Sequence, residues 1–347
     1  MAVLITGGAG YVGSHMALAL HDAGEPCVVL DDLSTGFADA VPEGVPLVIG
    51  DVADHALVRR TIAAHGVDAV AHFAARIVAP DSVRDPLGYY AANTFRTSTL
   101  LATLVEAKVK RFIFSSTAAV YGVSPPTPTR EDAALAPASP YGASKMMSER
   151  ILADVSAAHG MSYVALRYFN VAGADPSLRA GQRSSEATNL ITVVIRAALG
   201  LSDGLEVFGT DLPTPDGTGV RDYIHVSDLA AAHVSALAHL RRGGGNLTLN
   251  CGYGYGYSVR EVIAAVKRVS GADFPVRDRP ARPGDPHLSI ADAGAIRETL
   301  GWRPERAELD LIVGDALRFE QRLRVTDMRR PAKTRRRGGD TRSSSAA

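Results

Sequence analysis

Apolar residues fall into short runs at 3–6, 27–30, 47–49, 69–73, 112–115 and 163–166, and recur every three or four positions at 15–23, 57–64, 100–107 and 146–158. The short runs predict strands, and the periodic stretches predict helices that bury one face. Strand and helix alternating this often predicts an α/β fold: a doubly wound parallel sheet covered on both faces, with ligands at the C-terminal ends of its strands. Beyond Gly173 the pattern changes. Residues 174–220 are rich in Pro, Gly, Asp and Thr around one helical stretch at 190–199, and a strand at 223–226 and a helix at 229–240 follow. The expected division is a first domain over 1–174 and a smaller, partly interleaved substrate lobe over 175–326, with 223–240 returning to the first domain.

Composition narrows this picture only at the ends. Hydrophobic residues at 46% and charged residues at 21% of 347 describe an ordinary globular chain. The N-terminal apolar run is too short for a signal peptide or a spanning helix, so a cytoplasmic protein without a membrane partner is expected. Cys27 and Cys251 show neither CxxC spacing nor a neighbouring histidine cluster, which argues against a disulfide scaffold or a metal site. Net charge is zero, yet Arg329, Arg330, Lys333, Arg335, Arg336, Arg337 and Arg342 crowd the end of the chain. With almost no apolar residues to bury, 327–347 reads as a disordered basic tail. It either touches a polyanion or is simply solvated; no specific nucleic-acid role is expected.

The first strand runs into Gly7-Gly8-Ala9-Gly10-Tyr11-Val12-Gly13, a GxxGxxG loop that opens a helix. Glycines there allow a tight turn and let a pyrophosphate sit against free N–H groups at the helix N-terminus. The second strand ends in Asp31-Asp32, where a carboxylate can reach the adenosine ribose hydroxyls of NAD and repel the 2′-phosphate of NADP. Asp31 could instead cap the following turn. Asp51 and Val52, after the third strand, lie where the adenine edge would be, and Phe73-Ala74-Ala75, after the fourth, passes beside the phosphates; each could equally be an ordinary loop residue.

Ser115-Ser116-Thr117 places hydroxyls at the active end of the fifth strand, and Tyr141 and Lys145 stand i and i+4 on one face of a helix. A phenol with its ordinary pKa of about 10 is a poor base at neutral pH. A nearby ammonium, together with a positive nicotinamide ring, favours the phenolate.

Glycine loop, acidic strand end, hydroxyl tip and YxxxK pair, in this order, resemble the extended short-chain dehydrogenase/reductase family, whose fold is Rossmann-like. Residues 1–320 resemble its UDP-glucose 4-epimerase branch nearly end to end, through 6–15, 112–116, Arg167-Tyr168-Phe169-Asn170 and the stretch 216–226 containing Arg221-Asp222-Tyr223. The resemblance implies transient oxidation at C4 of a UDP-sugar with bound NAD, in a homodimer. Tyr141 is then the base, Lys145 holds the nicotinamide ribose and tunes the phenol, and Thr117 bonds the sugar 4-oxygen. Asn93, Ser115 and Phe169 join the cofactor side. Asn170, Asn189, Leu190, Phe208, Arg221, Tyr223 and Arg282 receive UDP, Asp285 meets the uridine ribose, and Ser289 lines the pocket at the sugar C2. Surface ion pairs are the alternative for Arg221 and Arg282, and Leu288 or Tyr89 could fill the space beside Ser289. The resemblance departs at Arg76-Ile77, where a lysine is usual, and at Phe95-Arg96, where small residues are usual, so cofactor contacts there do not carry over. A 4,6-dehydratase would need an Asp-Glu pair after the strand-end threonine, where Ala118 and Ala119 stand; a non-catalytic NAD sensor would not need the Tyr/Lys pair.

Overall fold

In β1 (Ala2–Thr6) and β2 (Cys27–Asp31) every residue is buried, which only a central strand with both faces covered achieves. Alternate side chains feed opposite layers: Val3, Ile5 and Val29 pack with Met16 and Leu20, whereas Leu4, Val28 and Leu30 pack with Val58, Leu100 and Leu104. A computed structural model describes residues 1–122, 128–183, 189–281 and 286–329 of the chain. Its main sheet has seven strands, completed by β3 (Leu47–Ile49), β4 (Val67–His72), β5 (Arg111–Thr117), β6 (Ser162–Tyr168) and β7 (Leu247–Cys251), in the order β7-β6-β5-β4-β1-β2-β3. All neighbours run parallel. The flanking helices are α1 (Tyr11–Asp22), α2 (His55–His65), α3 (Arg96–Glu106), α4 (Pro140–His159) and, after α5 (Leu190–Ala198) in the second lobe, α6 (Val226–Arg241).

Three features differ from the pattern-based reading. The segment returning to the sheet continues past 240 into β7, where Cys251 is fully buried. Residues 79–95, which have no clear period because Pro80 and Pro86 interrupt them, form two short helices, Ala79–Arg84 and Pro86–Tyr89, and a π-helical turn, Tyr90–Phe95, that runs into α3. At the other end, α8 (Leu309–Arg329) extends three residues into the stretch expected to be tail; the rest of that stretch lies outside the described residues.

The second lobe rests on small sheets. Asn170–Ala172 pairs with Tyr223–His225, Leu205–Phe208 pairs with Val276–Arg279, and Val220–Arg221 lies between Tyr257–Ser258 and Leu288–Ser289. The helix α7 (Val259–Ser270) opens with a reciprocal Ser258/Glu261 cap. Among the described residues no helix is long and apolar enough to cross a membrane, and no group of three or more His, Cys, Asp or Glu side chains is placed to hold a metal.

Candidate active site

Between β1 and α1 the chain makes a cradle of bare backbone. A Cβ on Gly13 would lie 2.2 Å from the Gly7 carbonyl oxygen, and one on Gly7, whose φ is +71°, would lie 2.5 Å from the Ala74 nitrogen. Gly10 caps α1 without a side-chain bond, and no acidic residue stands in the first turn. The N–H groups of Tyr11, Val12 and Gly13 are thus available to an anion, and the helix dipole favours one. A dinucleotide pyrophosphate fits these residues. Tyr11 itself turns away, its hydroxyl donating to the Gly173 carbonyl at 2.7 Å.

Asp31 takes the capping role left open by the sequence: its carboxylate accepts from the backbone N–H of Ala9 at 2.9 Å and of Leu33 at 2.8 Å. Burial raises its pKa, and the two amides oppose that rise. Each oxygen keeps a lone pair, so a ribose hydroxyl can still be received. Asp32 is exposed and accepts from Ser34. Arg96, one of the departures from the family pattern, reaches this end from α3: its guanidinium lies 3.1 Å from Asp51 and 3.8 Å from Asp32. Val52 is buried beside it. The other departure, Arg76, pairs with Asp85, while Asn93 is fully engaged, joining the Arg76 backbone to Ser144 on α4. Phe73 leaves the sheet against His233, with ring centroids 4.8 Å apart; Ala75 follows Ala74 in the same loop.

The reacting end is built where β5 meets α4. Ser139 and Pro140 start the helix, and a Cβ on Gly142 would come within 2.5 Å of the Ala119 carbonyl oxygen. Glycine there lets α4 press against the turn that follows Thr117. Tyr141 is thereby hydrogen-bonded to Thr117; burial raises the phenol's pKa and this bond lowers it. Thr117 also accepts from the Ala119 N–H at 3.1 Å. Lys145 is buried and donates to the Ser115 carbonyl at 2.8 Å, with its ammonium 4.9 Å from the Phe114 ring centre. Burial pulls Lys145 down to about 7, against which the Glu149 carboxylate acts. The Lys145 ammonium is turned to the Ser115 carbonyl, one helical turn along α4 from the phenol. The Ser115 hydroxyl bonds Tyr168, and Phe169 is buried beside it in sequence.

On the second lobe, the stretch Arg221-Asp222-Tyr223 joins two small sheets. Tyr223 stands in register with Asn170, and Arg221 stands in register with Ser289. The Asp222 carboxylate, raised to about 6 by burial, accepts from Tyr253, Gly254 and Ala291 N–H groups and fixes the surrounding loops. Asn189 caps α5 ahead of Leu190, accepting from Ile191, and donates to the Val171 carbonyl at 2.6 Å. Phe208 stands in register with Arg279. Arg282 and Asp285 lie outside the described residues. Two groups that the sequence reading did not single out are buried next to the Tyr/Lys pair: Glu149 and Arg167, joined by a 2.6 Å ion pair.

Residues 3–252 match the model of the NAD dependent epimerase/dehydratase family. A UDP-glucose 4-epimerase of Azospirillum brasilense is 56% identical over 321 residues, 92% of either chain. Two solved structures superpose on nearly the whole fold. One is a UDP-glucose 4-epimerase from Brucella ovis in complex with NAD, with a TM-score of 0.89 and 44% identity over 92% of this chain and 98% of that one. The other is the UDP-Glc/GlcNAc 4-epimerase of Campylobacter jejuni, with a TM-score of 0.82 and 43% identity over 92% of this chain and 99% of that one. On the match over residues 3–252 and the 56% identity, the chain belongs to the NAD dependent epimerase/dehydratase family.

Proposed function

We propose that the protein is an NAD-dependent UDP-glucose 4-epimerase that interconverts UDP-glucose and UDP-galactose. The observation that carries this reading is the junction of β5 and α4, where Thr117 meets Tyr141 and Lys145 is buried one helical turn away. When bound, NAD supplies a reversible acceptor for the C4 hydrogen of the sugar. Tyr141 takes the proton of the 4-hydroxyl and later returns one to the 4-oxygen. Thr117 holds that oxygen in line, and Lys145 orients the nicotinamide ribose. Asn170, Asn189, Arg221, Tyr223, Arg282 and Asp285 hold UDP while the sugar turns about its diphosphate, and the planar guanidinium groups suit that anion. Dehydration is disfavoured because Ala118 and Ala119 follow Thr117, so no acid stands there to drive elimination.

A homodimer completes the reading. Ile77, Leu87, Phe95 and Met147 are 65%, 80%, 66% and 42% exposed, an apolar set on the helical segment 79–95, the loop just before it and α4. A second copy of the chain is the partner proposed for it. The direct test of function is to incubate the purified protein with UDP-galactose, without added cofactor, and to resolve the nucleotide sugars. UDP-glucose is expected at equilibrium; a 4-keto-6-deoxy product, or none, would refute the assignment.

A further inference from the structure

Three consecutive residues at the end of β5 hold three successive turns of one face of α4. Thr117 bonds Tyr141, the Ser115 carbonyl takes the Lys145 ammonium, and the Ser116 hydroxyl donates to Glu149. Tyr141, Lys145 and Glu149 are spaced i, i+4 and i+8, so they share that face. Ser116, Glu149 and Arg167 are all buried. Arg167, on β6, grips both carboxylate oxygens of Glu149, donating from Nη2 at 2.6 Å and from Nε at 3.0 and 3.2 Å. Its remaining arm donates to the Tyr121 hydroxyl at 3.0 Å and to the Glu131 carbonyl at 3.1 Å. Tyr121 in turn donates to Asn250 on β7 at 2.7 Å. The carboxylate is therefore held by two residues, Ser116 and Arg167, and Arg167 is itself fixed by Tyr121 and the Glu131 carbonyl.

We infer that Glu149 is a positioning residue for the reaction: held between Ser116 and Arg167, it keeps the Tyr141–Lys145 face of α4 in register with the end of β5 and supplies the negative charge facing the Lys145 ammonium. The inference rests on the epimerase reading for its functional meaning. Among the described residues, the other groups around Lys145 supply no anion. His72 on β4 is neutral, held near 3 by burial and by the lysine's charge; Phe114 and the Ser115 carbonyl lie on β5; Arg167 and Tyr168 lie on β6; Tyr141 shares its helix. Glu149 is the group that opposes the loss of the Lys145 proton on burial. Without it the lysine sheds its proton at lower pH, and the positive charge beside the phenol is lost.

The test compares Glu149→Gln with Arg167→Met. Both break the same ion pair and remove comparable structural support, but only the first removes the carboxylate. Lys108, Lys110, Lys145, Lys267 and Lys333 are the lysines of the chain, so Lys145 can be followed by NMR of protein carrying ¹³C at lysine Cε, alongside the pH profile of kcat. In Glu149→Gln the Lys145 titration midpoint and the alkaline limb of kcat are expected to fall together by about one pH unit, with KM little changed. In Arg167→Met neither is expected to fall. Should the single Gln variant not fold, Glu149→Gln/Arg167→Met leaves neither member of that ion pair buried without its partner and is expected to show the same lowered Lys145 midpoint. An unmoved midpoint in the variant lacking the carboxylate, or equal shifts in both single variants, overturns the inference. A wild-type protein without epimerase activity sinks the functional reading, while the lysine titration still decides this one.

Discussion

Tyr141 is a phenol whose burial works against ionisation, with a threonine hydroxyl as its counterweight. A base in that position depends on positive charge nearby, from Lys145 one helical turn along α4 and from the nicotinamide ring when NAD is bound. Tyr141→Phe is accordingly expected to lower kcat by about two to four orders of magnitude while leaving UDP affinity, read by calorimetry, nearly unchanged; retention of a tenth of the wild-type rate would place the base elsewhere. Ser289 is the residue proposed to set the substrate range. It stands beside Arg221 in a parallel pair, and its small side chain leaves space that a 2-acetamido group can use. The alternative occupant Tyr89 is buried, its hydroxyl donating to the Val78 carbonyl at 2.7 Å. Wild-type protein should interconvert UDP-GlcNAc and UDP-GalNAc as well as the unsubstituted pair, and Ser289→Tyr should abolish only the first activity. No conversion of UDP-GalNAc by the wild type, under conditions where UDP-galactose is consumed, refutes the gatekeeper. The i, i+4 spacing made the Tyr141–Lys145 pair legible in the sequence. Arg167 was not: its partner lies 18 residues away on a helix, and only the packing of β6 under α4 joins them. Arg96 was legible only as an oddity, since its partners Asp32 and Asp51 come from two other strand ends.

Among the elements, the β1–α1 loop is the least tolerant. Its glycines are needed for close approach: a Cβ on Gly13 meets the Gly7 oxygen at 2.2 Å and the Gly8 Cα at 2.8 Å, both backbone, whereas one on Gly10 meets only the Gly7 oxygen, at 3.2 Å. Overpacking of this kind costs about 1–3 kcal/mol, and each kcal/mol lowers Tm by roughly 2–4 °C in a chain of this size. Gly13→Ala should therefore melt several degrees lower and purify with less bound dinucleotide than Gly10→Ala; equal melting of the two variants contradicts the cradle geometry. The parallel strands β1, β2, β4, β5 and β6 could be read from their apolar runs because both faces of most of their residues are covered, whereas β3, at the sheet edge, is only half-buried. The π-helical turn at Tyr90–Phe95 could not, since its period belongs neither to strand nor to helix. Cys251 lies in a strand-like apolar run, but the place of β7 beside β6 could not be read, because that pairing brings together residues about 80 positions apart, such as Leu247 and Val164.

At the scale of the whole molecule, and among the described residues, Ile77, Leu87, Phe95 and Met147 form an exposed apolar surface beside α4. If it is a dimer face, Leu87→Asp/Phe95→Asp should sediment as monomer where the wild type sediments as dimer; unchanged sedimentation would remove this surface from the interface. The same reading requires each turnover to be self-contained: the hydrogen that leaves C4 returns to C4, and nothing is exchanged with solvent or with added cofactor. The most direct measurement uses UDP-galactose carrying deuterium at C4, incubated with purified protein and no added dinucleotide, followed by NMR and mass analysis of the UDP-glucose formed. Full retention of deuterium at C4, at a rate unaffected by added NAD, is the expected result. Loss of the label to water, or conversion only when NADP is supplied, would contradict a tyrosine-assisted oxidation and return at C4 with bound NAD.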